Sequence, residues 1–386
     1  MANIWEHPTI IAAEALTHLE DALVITGMCT KDETSEFNTR ANGWKKGDTI
    51  PFRTHGDYVA KEFVSTIEVQ PISTSTRSMV IEKHLDISVE VTAREEAMEL
   101  DSFSDQVIKP AAYRLAEFVD TYVGTKILQA AGMYYSSDLF ANAADVALAR
   151  KYATLQQLSM NRFSLCNLSL EAKMLGQTWF NQSQTRGAPG VSSLQSGIMG
   201  HVMGMDWFSS VAFPVQAYTC GTMVCAVNNG AGGNTNNKIG DENLIVDTQT
   251  ASKVLYAGDR LIVAGLRRPL IVKTAIPDTS ATTTVALVDP ITEIVPDNAA
   301  VVVLGSGLTI DVLGAIFDDR SLAVAFPILD APQDRVTATA SNNGVSIRVV
   351  KGYDLSTKKT TLSMDLLCGA FAFDPRRITL LGDATT

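Results

Sequence analysis

The strictest alternation in the chain runs through residues 81–91. Ile81, Leu85, Ile87, Val89 and Val91 hold odd positions, with Lys83 among them, and Glu82, His84, Asp86, Ser88 and Glu90 hold the even ones. Successive side chains of a strand point to opposite faces, so this pattern predicts a strand with one apolar and one solvated face, as in an antiparallel ribbon. Residues 48–63 also read as extended, and the polar run 71–78 reads as a turn region. The pattern therefore predicts a long two-stranded ribbon in which 49–67 pairs with 81–91. Two strands alone are marginal in water, so the ribbon needs a further surface to lie on.

Helical spacing appears on either side of it. In residues 9–26, Ile11, Ala15, Leu19, Ala22 and Leu23 share a stripe, Glu14, His18 and Asp21 lie elsewhere, and Gly27 is placed to end the helix. The longest helix is predicted over 102–131, where Val107, Ala111, Leu115, Phe118, Tyr122 and Ile127 step by three to five. Ser102 or Ser104 caps it, and Pro110 is tolerated only near a first turn or at a kink, so the regular part begins near Lys109. Its length is roughly 35–45 Å at the usual helical rise. Further helices are expected over 144–160, 168–180, 191–199 and 309–316, with a polar loop at 181–190 and a turn-and-strand unit at 200–214.

The Asn- and Gly-rich run 228–237 reads as a linker. After it come short β-rich runs at 244–246, 253–256, 260–264, 270–275, 282–288 and 300–304, spaced by turn residues, which suggest a small barrel or sandwich inserted in the chain. A strand at 321–328 follows. Runs 346–353 and 360–373 then form a hairpin-like pair joined by the polar stretch 354–359.

Composition narrows the function classes. The chain has 386 residues, 46% hydrophobic and 19% charged, which is globular and large enough for two or three sub-domains. A net charge of −11 without any Lys/Arg-rich run argues against tight nucleic-acid binding, which rests on neutralising phosphates. Cys29, Cys166, Cys220, Cys225 and Cys368 are odd in number and form no Cys-x-x-Cys, so buried free thiols in a reducing compartment are expected. The first ten residues carry no basic stretch followed by an apolar core, so no secretory leader is expected. The most apolar run, 299–317, is interrupted by Gly305, Gly307 and Asp311 and reads as buried strand and helix; no membrane partner is expected.

The chemistry-bearing motifs are missing. His7, His18, His55, His84 and His201 make no His-Glu-x-x-His, and no zinc ligand set can be named. His84 falls on the polar face of its strand and reads as solvated. No Gly-x-Ser-x-Gly elbow, no Walker loop at the glycine-rich run 230–233 and no dinucleotide fingerprint occurs. The adjacent carboxylates Asp318 and Asp319 are expected to point apart, and the sequons at Asn167 and Asn181 carry no meaning without a leader. No catalytic, cofactor-binding or metal residue is assigned, no cofactor is expected, and the chain is read as a non-enzyme.

Several segments, in order, resemble tailed-phage coat proteins with the Hong Kong 97-type fold, most nearly the short-tailed-phage subgroup with an inserted β-domain. They are the leading helix, the 49–91 ribbon, the long helix, 200–214 (GHVMGMDWFSSVAFP), 256–265 (YAGDRLIVAG), 317–327 (FDDRSLAVAFP), and the closing runs 346–354 (SIRVVKGYD) and 365–369 (DLLCG). The resemblance implies an α+β fold with an N-terminal arm (1–47) and an extended loop with flanking strands (48–100). A spine helix with the peripheral domain (101–160) and a first axial part (161–227) come next. An inserted β-barrel-like domain (228–308) and a C-terminal axial/peripheral part (309–386) complete it.

It further implies a major capsid protein that self-assembles, through a procapsid made in the host cytoplasm, into the icosahedral shell around a double-stranded DNA genome. The implied partners are copies of itself in hexamers and pentamers, a scaffolding protein, a portal, non-specifically contacted DNA and decoration proteins. The acidic charge suits a wall that holds DNA without gripping it. A cross-link known in the family would pair a loop lysine, here Lys61, with Asn342 or Asn343, and is not carried over. Two other classes stay open: a compartment shell of the same fold with enzyme cargo, and a soluble α/β enzyme. The capsid reading expects the leading helix and the 49–91 ribbon to lack a home in their own fold and to lie on sister molecules. On that view, deleting residues 1–26 would leave a folded subunit unable to assemble.

Overall fold

A computed structural model describes residues 8–31, 44–53, 76–91, 104–130, 132–136, 140–155, 161–181, 196–230, 237–248, 254–277, 282–288, 290–291, 293–330, 335–354, 359–373 and 377–384. The chain divides into two compact units, one of 1–53, 76–126 and 322–373, the other of 54–75, 127–321 and 374–386. Helices and largely antiparallel sheets make it an α+β protein.

The first unit is built on a five-stranded antiparallel sheet. Lys359–Ala372 is its centre. It pairs with Val345–Asp354, which pairs with Val336–Asn342, and it also takes Leu322–Ala325 and Lys83–Val91. The pairing of 345–354 with 359–372 is the hairpin expected from sequence. The partner of Lys83–Val91 is not: its neighbour is Lys359–Ala372, with Ile87 opposite Met364 and Val89 opposite Leu362. The stretch near Thr49 pairs instead with Thr76–Val80, Thr49 opposite Val80 and Arg53 opposite Thr76. Alternation fixed which face of 83–91 is apolar but carries no information about which strand lies beside it. Of the expected ribbon, 54–75 lies outside the described residues.

The leading helix, Pro8–Ala22, packs on Val336–Asn342 and Val345–Asp354 of the same sheet. Ile11, Ala12, Ala15, Leu16 and Leu19 are buried. The expectation that this helix has no home in its own fold is therefore corrected: its apolar stripe is satisfied within one chain, because the hairpin of Val336–Asn342 and Val345–Asp354 supplies a matching surface. The long helix runs over Lys109–Ala130 behind a π-helical turn, Ser104–Ile108, and begins where Pro110 requires.

The second unit holds two sheets. One has seven strands, in the order Gly132–Ser136, Thr379–Ala384, Thr309–Phe317, Phe163–Cys166, Met205–Ser209 and Gly200–Val202, with Gln216–Thr219 also on Thr309–Phe317. Ala143–Leu155 and Leu168–Leu175 cover it, and Phe140, Val146, Leu170, Phe180, Met205, Trp207 and Ile316 share its core. The helix expected at 309–316 is a strand. All but two of its nine residues are buried, and a strand buried on both faces shows a continuous apolar run that periodicity cannot tell from a helix. Gly314 in this strand sits where a Cβ would stand 2.6 Å from the Leu165 carbonyl oxygen, so only glycine fits the bulge there. The helix expected over 168–180 breaks after Leu175 and resumes as Thr178–Asn181. Residues 197–199 of the expected 191–199 helix are not helical, and 191–195 lie outside the described residues.

The other sheet is six-stranded and antiparallel: Leu270–Ile271, Arg260–Val263, Ala300–Val303, Val224–Val227, Asn243–Thr248 and Thr282–Ala286. It includes Val224–Val227, ahead of position 228. The ends of the Asn/Gly run are tied together, since Asn237 Nδ2 donates to the Asn228 carbonyl at 3.0 Å and Ile245 N–H donates to Asn237 Oδ1 at 2.6 Å. The run thus closes a connection between neighbouring strands.

Candidate functional site

Three surface features are candidates for contact with other molecules. The first is the stem formed by Thr49–Arg53 and Thr76–Val80, which joins no other sheet among the described residues. Its root is fixed in the first unit. Met79 and Ile81 are fully buried against Ala323, Ala325 and Leu367, with Trp44 and Phe371 beside them. The Ile81 N–H donates to the Asp48 carbonyl at 3.0 Å, and the Gly47 N–H donates to that of Ile81 at 2.8 Å. Gly369 allows the close approach, since a Cβ there would come within 3.0 Å of the Val80 carbonyl oxygen. The chain leaves this fixed stem at Arg53 and returns to it at Thr76, directly opposite.

The second is a groove of about 780 Å³ between strand Lys83–Val91 and the long helix, lined among others by Leu85, Ile87, Leu115, Phe118 and Tyr122. Phe118 is half exposed. Arg114 and Glu117 pair at 2.6 Å on the rim, and Lys83 and Lys126 both lie 5.6 Å from the Tyr122 ring centre. Glu82 accepts from Lys126 Nζ at 2.7 Å and from the Tyr122 hydroxyl at 3.2 Å. Burial raises the Glu82 pKa, but those hydrogen bonds and the Lys126 and Lys83 charges outweigh it and hold the carboxyl below its ordinary value. Burial, then the nearby Cys368 and Glu82, push the Tyr122 phenol well up.

The third is a row on the six-stranded sheet. Ile262 stands opposite Val302, and Val302 opposite Val224. All three are exposed, by 41%, 43% and 44%, so three β-branched side chains on adjacent strands form one apolar stripe facing outward.

The remaining polar clusters hold the fold. Asp120 on the long helix is buried and accepts four hydrogen bonds, from the N–H groups of Val24, Ile25 and Thr26 and from the Thr26 hydroxyl, at 2.7–3.1 Å. Asp365 takes the Arg348 guanidinium and His84 Nε2, so His84 is partly exposed yet paired at 3.3 Å. Asp318 turns inward to Ser321 and Arg377 while Asp319 is exposed, so the two carboxylates do point apart. Asp259 accepts from the N–H groups of Gly221 and Tyr256 and from the Tyr218 hydroxyl. Burial pushes its pKa up against those donors.

All five cysteines are buried and unbridged. Burial raises their thiols, Cys225 to about 11 and Cys29 to about 12, so none is poised as a thiolate. Asn167 caps the helix Leu168–Leu175 by accepting from the Leu170 N–H. No group of three metal-binding side chains, and no helix long and apolar enough to cross a membrane, occurs among the described residues. Lys61 lies outside the described residues. Asn342 is described and donates to Glu20 at 3.0 Å.

Met79 and Asp120 were not singled out from sequence, and Ile81 was read only as the first apolar position of a strand, not as the root of a stem. Asp120 sits among alternating charged and apolar residues of an amphipathic helix, and nothing local distinguishes it from a solvated carboxylate.

No protein-family model matches the chain, and no curated protein matches its sequence. Similar solved structures exist. A structure of Mycobacterium phage Che8 shares 10% identity over 93% of this chain and 90% of its own, with a TM-score of 0.49. The capsid of the cyanophage P-SCSP1u shares 11% over 90% and 86%, with a TM-score of 0.45. The mature capsid of bacteriophage PhiM1 shares 8% over 89% and 83%, with a TM-score of 0.43.

Proposed function

We propose that this chain is a structural subunit, the major capsid protein of a tailed phage, which assembles with copies of itself into a closed shell around double-stranded DNA. The observation that carries the reading is the rooted hairpin. Its stem is held by fully buried Met79 and Ile81, and the 22 residues 54–75 leave and return at one point. A stem already fixed in the subunit offers a neighbour an anchored point of contact, which lowers the entropic cost of association.

A shell also needs several different surfaces on each subunit, since heterologous contacts must close on themselves. The groove beside Phe118 and the Ile262–Val302–Val224 stripe supply two more. The charge of −11 suits an inner wall that repels phosphate. Capsids of two phages are among the solved structures similar to the chain. In this role the protein is not an enzyme, its partners are itself, a scaffolding protein, a portal and non-specifically held DNA, and its place is the virion. The six-stranded sheet, strands 224–303, is the inserted domain.

Expression of the full chain with a scaffolding protein, followed by negative-stain microscopy and sedimentation, should give closed shells of pentamers and hexamers. Only small monomers under those conditions would refute the proposal, and shells filled with protein cargo instead of DNA during infection would replace it with a compartment role.

A further inference from the structure

Two Asn-Gly pairs of this chain lie in described segments, and the fold treats them oppositely. Asn343 and Gly344 are the two-residue turn between Val336–Asn342 and Val345–Asp354, where Asn342 pairs with Val345. Both have positive φ, 46° and 75°, the geometry of a type I′ hairpin, which selects Asn followed by Gly. Asn343 is exposed, and its side-chain amide makes no hydrogen bond among the described residues.

Asn229 and Gly230 are locked. Asn229 is 1% exposed. Its Nδ2 donates to the Val295 carbonyl at 2.6 Å, and its Oδ1 accepts from Asn237 at 2.9 Å. The Gly230 N–H donates to Asn228 Oδ1 at 2.8 Å.

We propose that Asn343 is a site of spontaneous deamidation, at which the protein ages chemically while Asn229 is protected. The backbone nitrogen of Gly344 attacks Cγ of Asn343, and glycine offers no Cβ to obstruct it. The N–Cγ bond forms, the Cγ–Nδ2 bond breaks, and the Gly344 amide proton leaves with the departing nitrogen as ammonia. The five-membered succinimide is then opened by water. Attack at the side-chain carbonyl gives aspartate, and attack at the backbone carbonyl gives isoaspartate, with the main chain rerouted through Cγ.

Either product puts a carboxylate at the hairpin tip next to Asn342, which bonds Glu20 of the leading helix. Isoaspartate also adds a backbone atom to a turn whose register depends on two residues. The same residue pair that makes the turn thus makes it perishable, on the hairpin that carries the leading helix.

The test is peptide mapping by mass spectrometry of the purified full chain, held for weeks at mildly alkaline pH, with isoaspartate counted by methyltransferase labelling. A synthetic peptide spanning residues 339–348 shows that the conditions drive the chemistry. Asn343 should convert faster than Asn229 by at least roughly tenfold, because Asn229 reacts only after local opening. The double variant Asn342→Ser with Asn343→Gly, which keeps the positive φ and leaves no Asn before a glycine at this tip, should abolish the label there and leave the rest of the map unchanged. An intact Asn343 in the folded chain while the peptide deamidates, or equal rates at Asn343 and Asn229, would overturn the proposal.

Discussion

Asp120 shows how much one side chain can organise. The N–H groups of Val24, Ile25 and Thr26 follow the end of the leading helix, those of Ile25 and Thr26 in buried positions, and a carboxylate from the long helix accepts all three. Asp120→Ala strands four donors, three of them buried, so a loss of about 3–5 kcal/mol in unfolding free energy is expected. Asp120→Asn, which keeps one acceptor oxygen, should cost visibly less in the same denaturant titration. Glu82 is the pH-sensitive counterpart. Its folded pKa lies below the ordinary 4.5, so its contribution is fully present above that value and is lost as pH falls through the folded pKa. Its side chain is 40% exposed, so the pair with Lys126 contributes less than about 1 kcal/mol. The stability gap between the protein and Lys126→Met should therefore be small near neutrality and vanish in acid; a gap that widens on acidification would rule the pair out as its source.

At the scale of elements, the leading helix changes role between sequence and structure. Its stripe was legible, but the surface it covers comes from residues more than three hundred positions later, which no local pattern reveals. With Ile11, Ala15 and Leu19 buried on its own chain, removal of residues 1–26 should expose a hydrophobic face and destabilise the subunit, not merely block assembly. Leu19→Ala alone is expected to cost about 2–5 kcal/mol, read from the shift in the denaturation midpoint. A truncated chain as stable as the full one would show that this packing is dispensable. The strand at 309–317 failed as an expectation for a related reason. Ile310, Val312, Leu313 and Ile316 satisfy helical and buried-strand patterns alike, and only their neighbours, Phe163–Cys166 on one side and Thr379–Ala384 on the other, decide between them.

For the whole molecule, the prediction that matters concerns the hairpin. Replacing residues 54–75 by a short glycine turn leaves Met79 and Ile81 in place, so the variant should retain the melting temperature of the subunit. It should fail to form shells under conditions where the full chain forms them. Normal shells from that variant would show that the reach is not an assembly arm. Of the two arms expected from sequence, the structure leaves this one as a candidate and takes the other into the subunit's own core.

The sequence by itself determined the long helix with its start near Lys109, the apolar face of 83–91, the 345–372 hairpin and the β-rich character of the region after 237. These follow from side-chain periodicity and turn chemistry, which act over a few residues. Which strands pair, that Lys83–Val91 lies beside Lys359–Ala372, that Asp120 is buried, and that Met79 and Ile81 root the hairpin were decided only by the tertiary structure. Apolar area gains by burial against any complementary surface, and the choice among such surfaces rests on contacts between residues far apart in the chain, which a local pattern does not encode.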